Sequence, residues 1–152
     1  MKISVSEDFF NIVIEKDSVS FCLTCYGIKN RVLITPLNHL LYDSQSEHQS
    51  WFLTGGLNSN PSLIQNANGC YMGYLPVNGV LAVVGLPLDA NPSEWCFIEL
   101  SKNHYVITTL IGNIIYFLKI YEDNLVLDSN SYSTFNIKKN KVFLQQKYFT
   151  GQ

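Results

Sequence analysis

The chain has 152 residues, with charged residues at 14%, aromatics at 13% and a mean hydropathy of +0.08. Charge content well below the usual roughly 25% rules out disorder, and this length is one domain's worth, spanning 1–152, able to bury roughly 70% of its unfolded surface without disulfides or metal. A net charge of -2 and a pI near 5.8 exclude a general nucleic-acid binder, which needs a strongly basic face.

Glu7 and Asp8 stand where a signal peptide requires an unbroken apolar stretch. The longest apolar run, Val106 to Ile120, is shorter than the roughly 20 residues of a spanning helix and is interrupted at Gly112-Asn113. No Asn-x-Ser/Thr site with a permitted middle residue occurs. The expectation is a cytoplasmic protein with no membrane contact.

Short β-type segments separated by turn residues dominate the chain. In order, strands are predicted at Phe10 to Glu15, Val19 to Tyr26 and Arg31 to Thr35. One short helix is expected over Pro36 to Tyr42, where Thr35 can cap and Pro36 suits the first helical position. From Trp51 to Pro92, Gly, Asn and Pro recur, and only Trp51 to Thr54, Cys70 to Leu75 and Val80 to Val84 have strand character. Long connections are expected between them.

Tyr105 to Ile111 and Ile114 to Ile120 flank Gly112-Asn113, a two-residue turn suited to a tight hairpin. Leu125 to Leu127, Ser133 to Lys138 and Lys141 to Phe149 complete a meander. The fold class is mainly β: antiparallel meander sheets forming a sandwich, a barrel or a partial propeller, with at most one short helix. Strand-turn units recur about every ten residues, but the residues themselves do not recur well enough to define a sequence repeat.

Cys22-Leu-Thr-Cys25 invites a metal or redox reading, yet no second close pair accompanies it, and Cys70 and Cys96 are far apart in sequence. On a strand, residues three apart face opposite ways, so the two sulfurs should diverge. All four cysteines read as buried structural thiols. His39, His48 and His104 form no ligand or triad pattern, and neither Gly-x-Ser-x-Gly nor a phosphate loop is present. Glu94 and Glu99, five apart on a strand, face oppositely and make a poor acid-base pair. No enzyme activity and no cofactor is expected.

Charge is unevenly placed. Val32 to Ser101 contains no Lys or Arg but holds Asp43, Glu47, Asp89, Glu94 and Glu99, and the chain up to Glu99 carries -5 against +3 for the remainder. An acidic surface steers basic partners. Trp51, Tyr71, Tyr74 and Trp95 lie in the same window and are of the types that anchor interfaces when exposed. The cluster Lys138, Lys139 and Lys141 reads as a solvated turn that protects a sheet edge.

A small β-rich chain with an acid-only segment from Asp43 to Glu99, interleaved aromatics and no catalytic motif resembles the immunity proteins of bacterial toxin systems, such as contact-dependent growth inhibition. The resemblance covers composition and architecture, and no shared motif maps onto individual residues. It implies a cognate toxin domain, often a basic nuclease, as partner. Asp43, Glu47, Asp89, Glu94 and Glu99 would imitate substrate phosphates, and Trp51, Tyr71, Tyr74 or Trp95 would fill pockets between them. The alternative is a carbohydrate or small-ligand binding β module, in which Trp and Tyr platforms combine with Asn and Asp for hydroxyl groups; the uncharged stretch from Gln49 to Leu88 carries both kinds of residue.

Overall fold

The computed structural model describes residues 9–37, 45–57 and 61–139. Twelve strands form one connected sheet system in three successive sets of four. The first set is β1 (Phe9–Lys16), β2 (Val19–Thr24), β3 (Leu33–Pro36) and β4 (Trp51–Leu53). The second is β5 (Ile64–Asn66), β6 (Tyr71–Val77), β7 (Val80–Leu86) and β8 (Trp95–Ser101). The third is β9 (His104–Ile111), β10 (Ile114–Tyr121), β11 (Asn124–Asp128) and β12 (Asn136–Lys139). A single helical turn, α1 (Gln45–His48), precedes β4.

The first and last strands of each set close a ring. β1 pairs with β4 and β12, β4 with β5, and β8 with β9, all antiparallel. The two remaining joints are reciprocal bridges of Ser62 with Trp95 and of Tyr105 with Phe135, each closed by two backbone hydrogen bonds of 2.8 Å. The result is a six-stranded barrel with no open edge in the ring.

The inner hairpins β2–β3, β6–β7 and β10–β11 cap one end of it. They meet one another around a triangle: Val126 pairs with Ala82 and Asn124 with Leu33, while Val32 N donates to Val83 O at 2.8 Å and Leu125 N to Val32 O at 3.0 Å.

The three sets correspond at a few defining positions. Phe10, Ser62 and Tyr105 bridge Trp51, Trp95 and Phe135 respectively. Two residues further on from the first group lie Ile12, Ile64 and Ile107, all fully buried. Leu23, Met72 and Leu118 are fully buried on β2, β6 and β10. Burial of large apolar side chains at matching positions gives one continuous core inside the barrel and under its cap.

This architecture realises the expected barrel, so the sandwich and propeller alternatives fall away. The predicted strands agree with β1, β2, β3, β4, β6, β7, β9, β10, β11 and β12 to within a few residues, and the Gly112-Asn113 hairpin joins β9 to β10 as expected. Gly112 takes φ 53°, a conformation that glycine adopts without steric cost.

Two strands, β5 and β8, are absent from the predicted series, although the stretch Glu94 to Glu99 that overlaps the seven-residue β8 reads as a strand in its carboxylate spacing. β5 has only three residues, two of them polar, and its Asn66 is buried because Nδ2 donates to His48 O at 2.9 Å while Oδ1 accepts Asn68 N at 3.1 Å.

The helix expected over Pro36 to Tyr42 is corrected at its start. Thr35 and Pro36 belong to β3, opposite Cys22 and Phe21, and buried Gln49 holds them there through Nε2 contacts of 2.9 Å to Thr35 Oγ1 and to the Pro36 carbonyl. Leu37 continues the extended path, its N–H donating to Ser20 O at 2.9 Å, while residues 38–42 of that segment and the strand expected over Lys141 to Phe149 lie outside the described residues.

Candidate functional site

Between the second and third sets the surface sinks into a depression of about 1030 Å³. Its walls come from several places in the chain. Thr54, Ser62 and Leu63 flank the β4–β5 connection, Asn91 to Glu94 form the approach to β8, and Thr108 to Leu110 with Ile115 belong to the β9–β10 hairpin. Tyr74 of β6 lines it as well, its ring packed against the core and half exposed.

Backbone and hydroxyl contacts fix these walls. Ser62 and Trp95 exchange backbone bonds of 2.8 Å, and Thr109 Oγ1 donates to the Glu94 carbonyl at 2.8 Å, so the 91–94 segment is tied both to β5 and to β9. Thr54 Oγ1 accepts Leu63 N at 3.1 Å, and Ser62 Oγ accepts Gly55 N at 3.2 Å, which stiffens the opposite wall. The side chains of Asn91 and Glu94 are exposed on one rim, and Leu110 and Ile115 on another, at 65% and 55% exposure. A concave site with one aromatic face, hydroxyls, an amide, a carboxylate and apolar rims suits a small polar ligand that also has an apolar side.

A smaller depression of about 480 Å³ lies beside β10 and β11. Its two charged residues, Lys119 and Asp128, pair at 3.4 Å. Asp128 Oδ1 also accepts the N–H groups of Asn130 and Ser131 at 2.7 and 3.1 Å, and these bonds, Asn130 first, hold its carboxyl below the usual range. Asp128 is thus committed to a turn.

Of the residues expected to bind a partner, the structure brings Tyr74 and Glu94 together in the larger depression. Asp89 is exposed earlier on the same β7–β8 connection, and Glu47 is exposed on α1. Tyr71 is half-buried on β6, opposite Gln65 and Leu86, on the other face from Tyr74 because three residues separate them. Glu99 sits at the far end of β8, where Oε2 accepts Asn103 N at 3.0 Å and the side chain bonds Tyr105, raising the Tyr105 pKa together with burial, the larger cause. It holds the β8–β9 turn. Asp43 lies outside the described residues.

Trp51 and Trp95 require correction as interface anchors. Both are 0% exposed, with Nε1 donating to the Leu23 carbonyl at 2.9 Å and to the Met72 carbonyl at 3.2 Å. Each indole begins the fourth strand of its set and fills the barrel, leaving neither ring surface nor N–H for a partner.

Asn91, Thr54 and Thr108 escaped the sequence reading, since isolated polar residues near turns carry no distinguishing signal. The exposed Leu110 and Ile115 did have one: residues 110–115 are apolar on both strand faces apart from the turn itself. Among the described residues no group of three or more His, Cys, Asp or Glu could hold a metal ion, and no helix is long and apolar enough to cross a membrane.

No family model and no curated protein matches the chain. Solved structures do. A designed three-fold symmetric protein, ThreeFoil, superposes with a TM-score of 0.61 at 12% identity, covering 86% of this chain and 97% of that one. The agglutinin of Rhizoctonia solani gives 0.62 at 14% identity, with 92% and 100% covered. A mosquitocidal holotoxin gives 0.68 at 16% identity, covering 91% of this chain, which spans only 18% of that protein's length. These neighbours are β-trefoil-like, in agreement with the three sets of four strands.

Proposed function

We propose that this chain is a carbohydrate-binding module of β-trefoil-like fold, taking a sugar in the depression between its second and third sets. The observation that carries the reading is Tyr74 placed in one concavity with Glu94 and Asn91. A pyranose has an apolar face of C–H groups and a rim of hydroxyls. The first packs on an aromatic ring, and the second pairs with a carboxylate, an amide and side-chain hydroxyls. The walls are tied by backbone bonds before any ligand arrives, which limits the ordering cost of binding. The name of one structural neighbour, an agglutinin, accords with this reading.

Titration with common monosaccharides, followed by amide chemical-shift mapping, tests it. Perturbations centred on residues 74, 91–94 and 108–110 are expected. Shifts confined to other parts of the molecule, or none at high sugar concentration, would count against the site.

The neutralisation of a basic toxin is the second reading, favoured by the exposure of Glu47, Asp89, Glu94 and Glu99. Tyr74 remains as its aromatic contributor beside Glu94, since Tyr71 lies on the other face of β6. Reversal of Asp89 and Glu94 to Lys should slow association with a basic partner severalfold at low salt, because charge of one sign acts on encounter rates. An unchanged rate would remove that surface from consideration.

A further inference from the structure

Cys25, just beyond the end of β2, and Cys70, just before β6, bring their sulfurs to 3.5 Å although they are 45 positions apart in sequence. In the sequence Cys25 stands three residues from Cys22, and Cys70 has no cysteine near it. The fold instead sends Cys22 Sγ toward the Gln49 carbonyl at 3.4 Å and pairs the other two across the first and second sets. Three features make this contact a built one.

Asn68 grips both residues. Its Nδ2 donates to the Cys25 carbonyl at 2.9 Å, and its Oδ1 accepts from Cys70 N at 3.2 Å and from Cys70 Sγ at 2.9 Å. Cys25 N is held separately by the His48 carbonyl at 3.0 Å. Space for the pair is provided by Gly85, since a Cβ there would fall 2.7 Å from Cys25 Sγ and 3.0 Å from Cys70 Sγ. Finally, Cys70 S–H donates to Asn68 Oδ1, which leaves the Cys70 sulfur to accept from Cys25 S–H, so the two sulfurs are held facing each other. Cys22, by contrast, is pushed up to about 12 by burial and is inert.

We propose that Cys25 and Cys70 are a redox pair that closes into a disulfide clamp between the first and second sets under oxidising conditions. With a small-molecule disulfide such as oxidised glutathione as oxidant, both protein S–H bonds break and one protein S–S bond forms. The oxidant's S–S bond breaks, and its two sulfurs take up the two electrons and two protons as free thiols. The route runs through a mixed disulfide on one cysteine that the other displaces. A cross-link across so long a loop constrains the unfolded chain, so the oxidised form should be the more heat-resistant. The clamp makes no use of the sugar site, and its fate is separable from that reading.

The test is incubation of the folded protein with oxidised glutathione, and in parallel its refolding in a glutathione redox buffer. Remaining thiols are then alkylated under denaturing conditions and peptides mapped without reduction. A Cys25–Cys70 cross-linked peptide, with Cys22 and Cys96 alkylated, is expected in at least the refolding arm. It should be accompanied by a rise in Tm of several degrees that dithiothreitol reverses and that Cys22→Ser retains. Alkylation of both Cys25 and Cys70 in both arms would overturn the proposal, as would glutathione or intermolecular adducts at Cys96 in place of the cross-link.

Discussion

Trp51 and Trp95 occupy the same place in successive four-stranded sets: each opens the last strand, is fully buried, and donates its indole N–H to a carbonyl of the second strand, Leu23 and Met72 respectively. The third set has Phe135 there, whose side chain has no N–H to give, and the corresponding Leu118 carbonyl accepts instead from Ser133 N at 3.3 Å. An identical requirement, a buried carbonyl that must be paired, is met by a side chain twice and by the backbone once.

Truncation at either tryptophan should therefore be severe. Trp51→Ala and Trp95→Ala are each expected to lower unfolding stability by about 3–5 kcal/mol, the range for large aromatics removed from a core. Urea titration of the two variants measures this. In the wild type, both indoles should resist acrylamide quenching until the protein unfolds, and ready quenching of folded protein would contradict their burial.

Gly85 is a second point of low tolerance. An added Cβ would meet the Gly27 carbonyl at 2.6 Å, backbone that cannot swing aside, as well as Cys25 Sγ at 2.7 Å. Gly85→Ala should cost about 1–3 kcal/mol through overpacking. A thermal melt of the variant equal to that of the wild type would mean the close approach is relieved without cost.

The turn held by Asp128 predicts a pH signature. Its carboxyl is depressed in the folded state, chiefly by the Asn130 N–H, so the stabilisation is complete above the ordinary carboxylate value of about 3.9 and is lost as pH falls through the lower folded value. The stability difference between wild type and Asp128→Asn should be constant from neutral pH down to about 5 and should narrow below about 4. A difference that grows on acidification would have the wrong sign.

Much of the strand content was legible because turn chemistry and periodicity agreed, as at Gly112-Asn113 between two β-branched runs. The three-fold repeat was not. Ile12, Ile64 and Ile107 are chemically identical and structurally equivalent, but the connections between sets differ in length, so no fixed period marks them. The site was legible by residue type and not by place. Tyr74 and Glu94 reach one depression only because the barrel closes through Ser62 and Trp95, a contact between short segments with no local signature. The tryptophans misled because size and apolarity serve a barrel core and an interface equally well.

Two substitutions probe the lining of the depression and leave every fully buried core residue in place. Tyr74→Ala removes the aromatic face and should weaken sugar binding about tenfold, in line with the worth of one aromatic contact plus its buried area. Glu94→Gln keeps the shape but removes a charged acceptor, and a loss of similar size is expected if the carboxylate pairs with a hydroxyl. Calorimetric titration against a bound sugar reads both, and circular dichroism should report unchanged folds.

The most direct test of the sugar-binding account is a glycan array probed with the wild type and with Tyr74→Ala side by side. The account predicts a defined set of glycans sharing a terminal sugar that the wild type retains and the variant loses. Absence of any retained glycan, or equal retention by the variant, would contradict it.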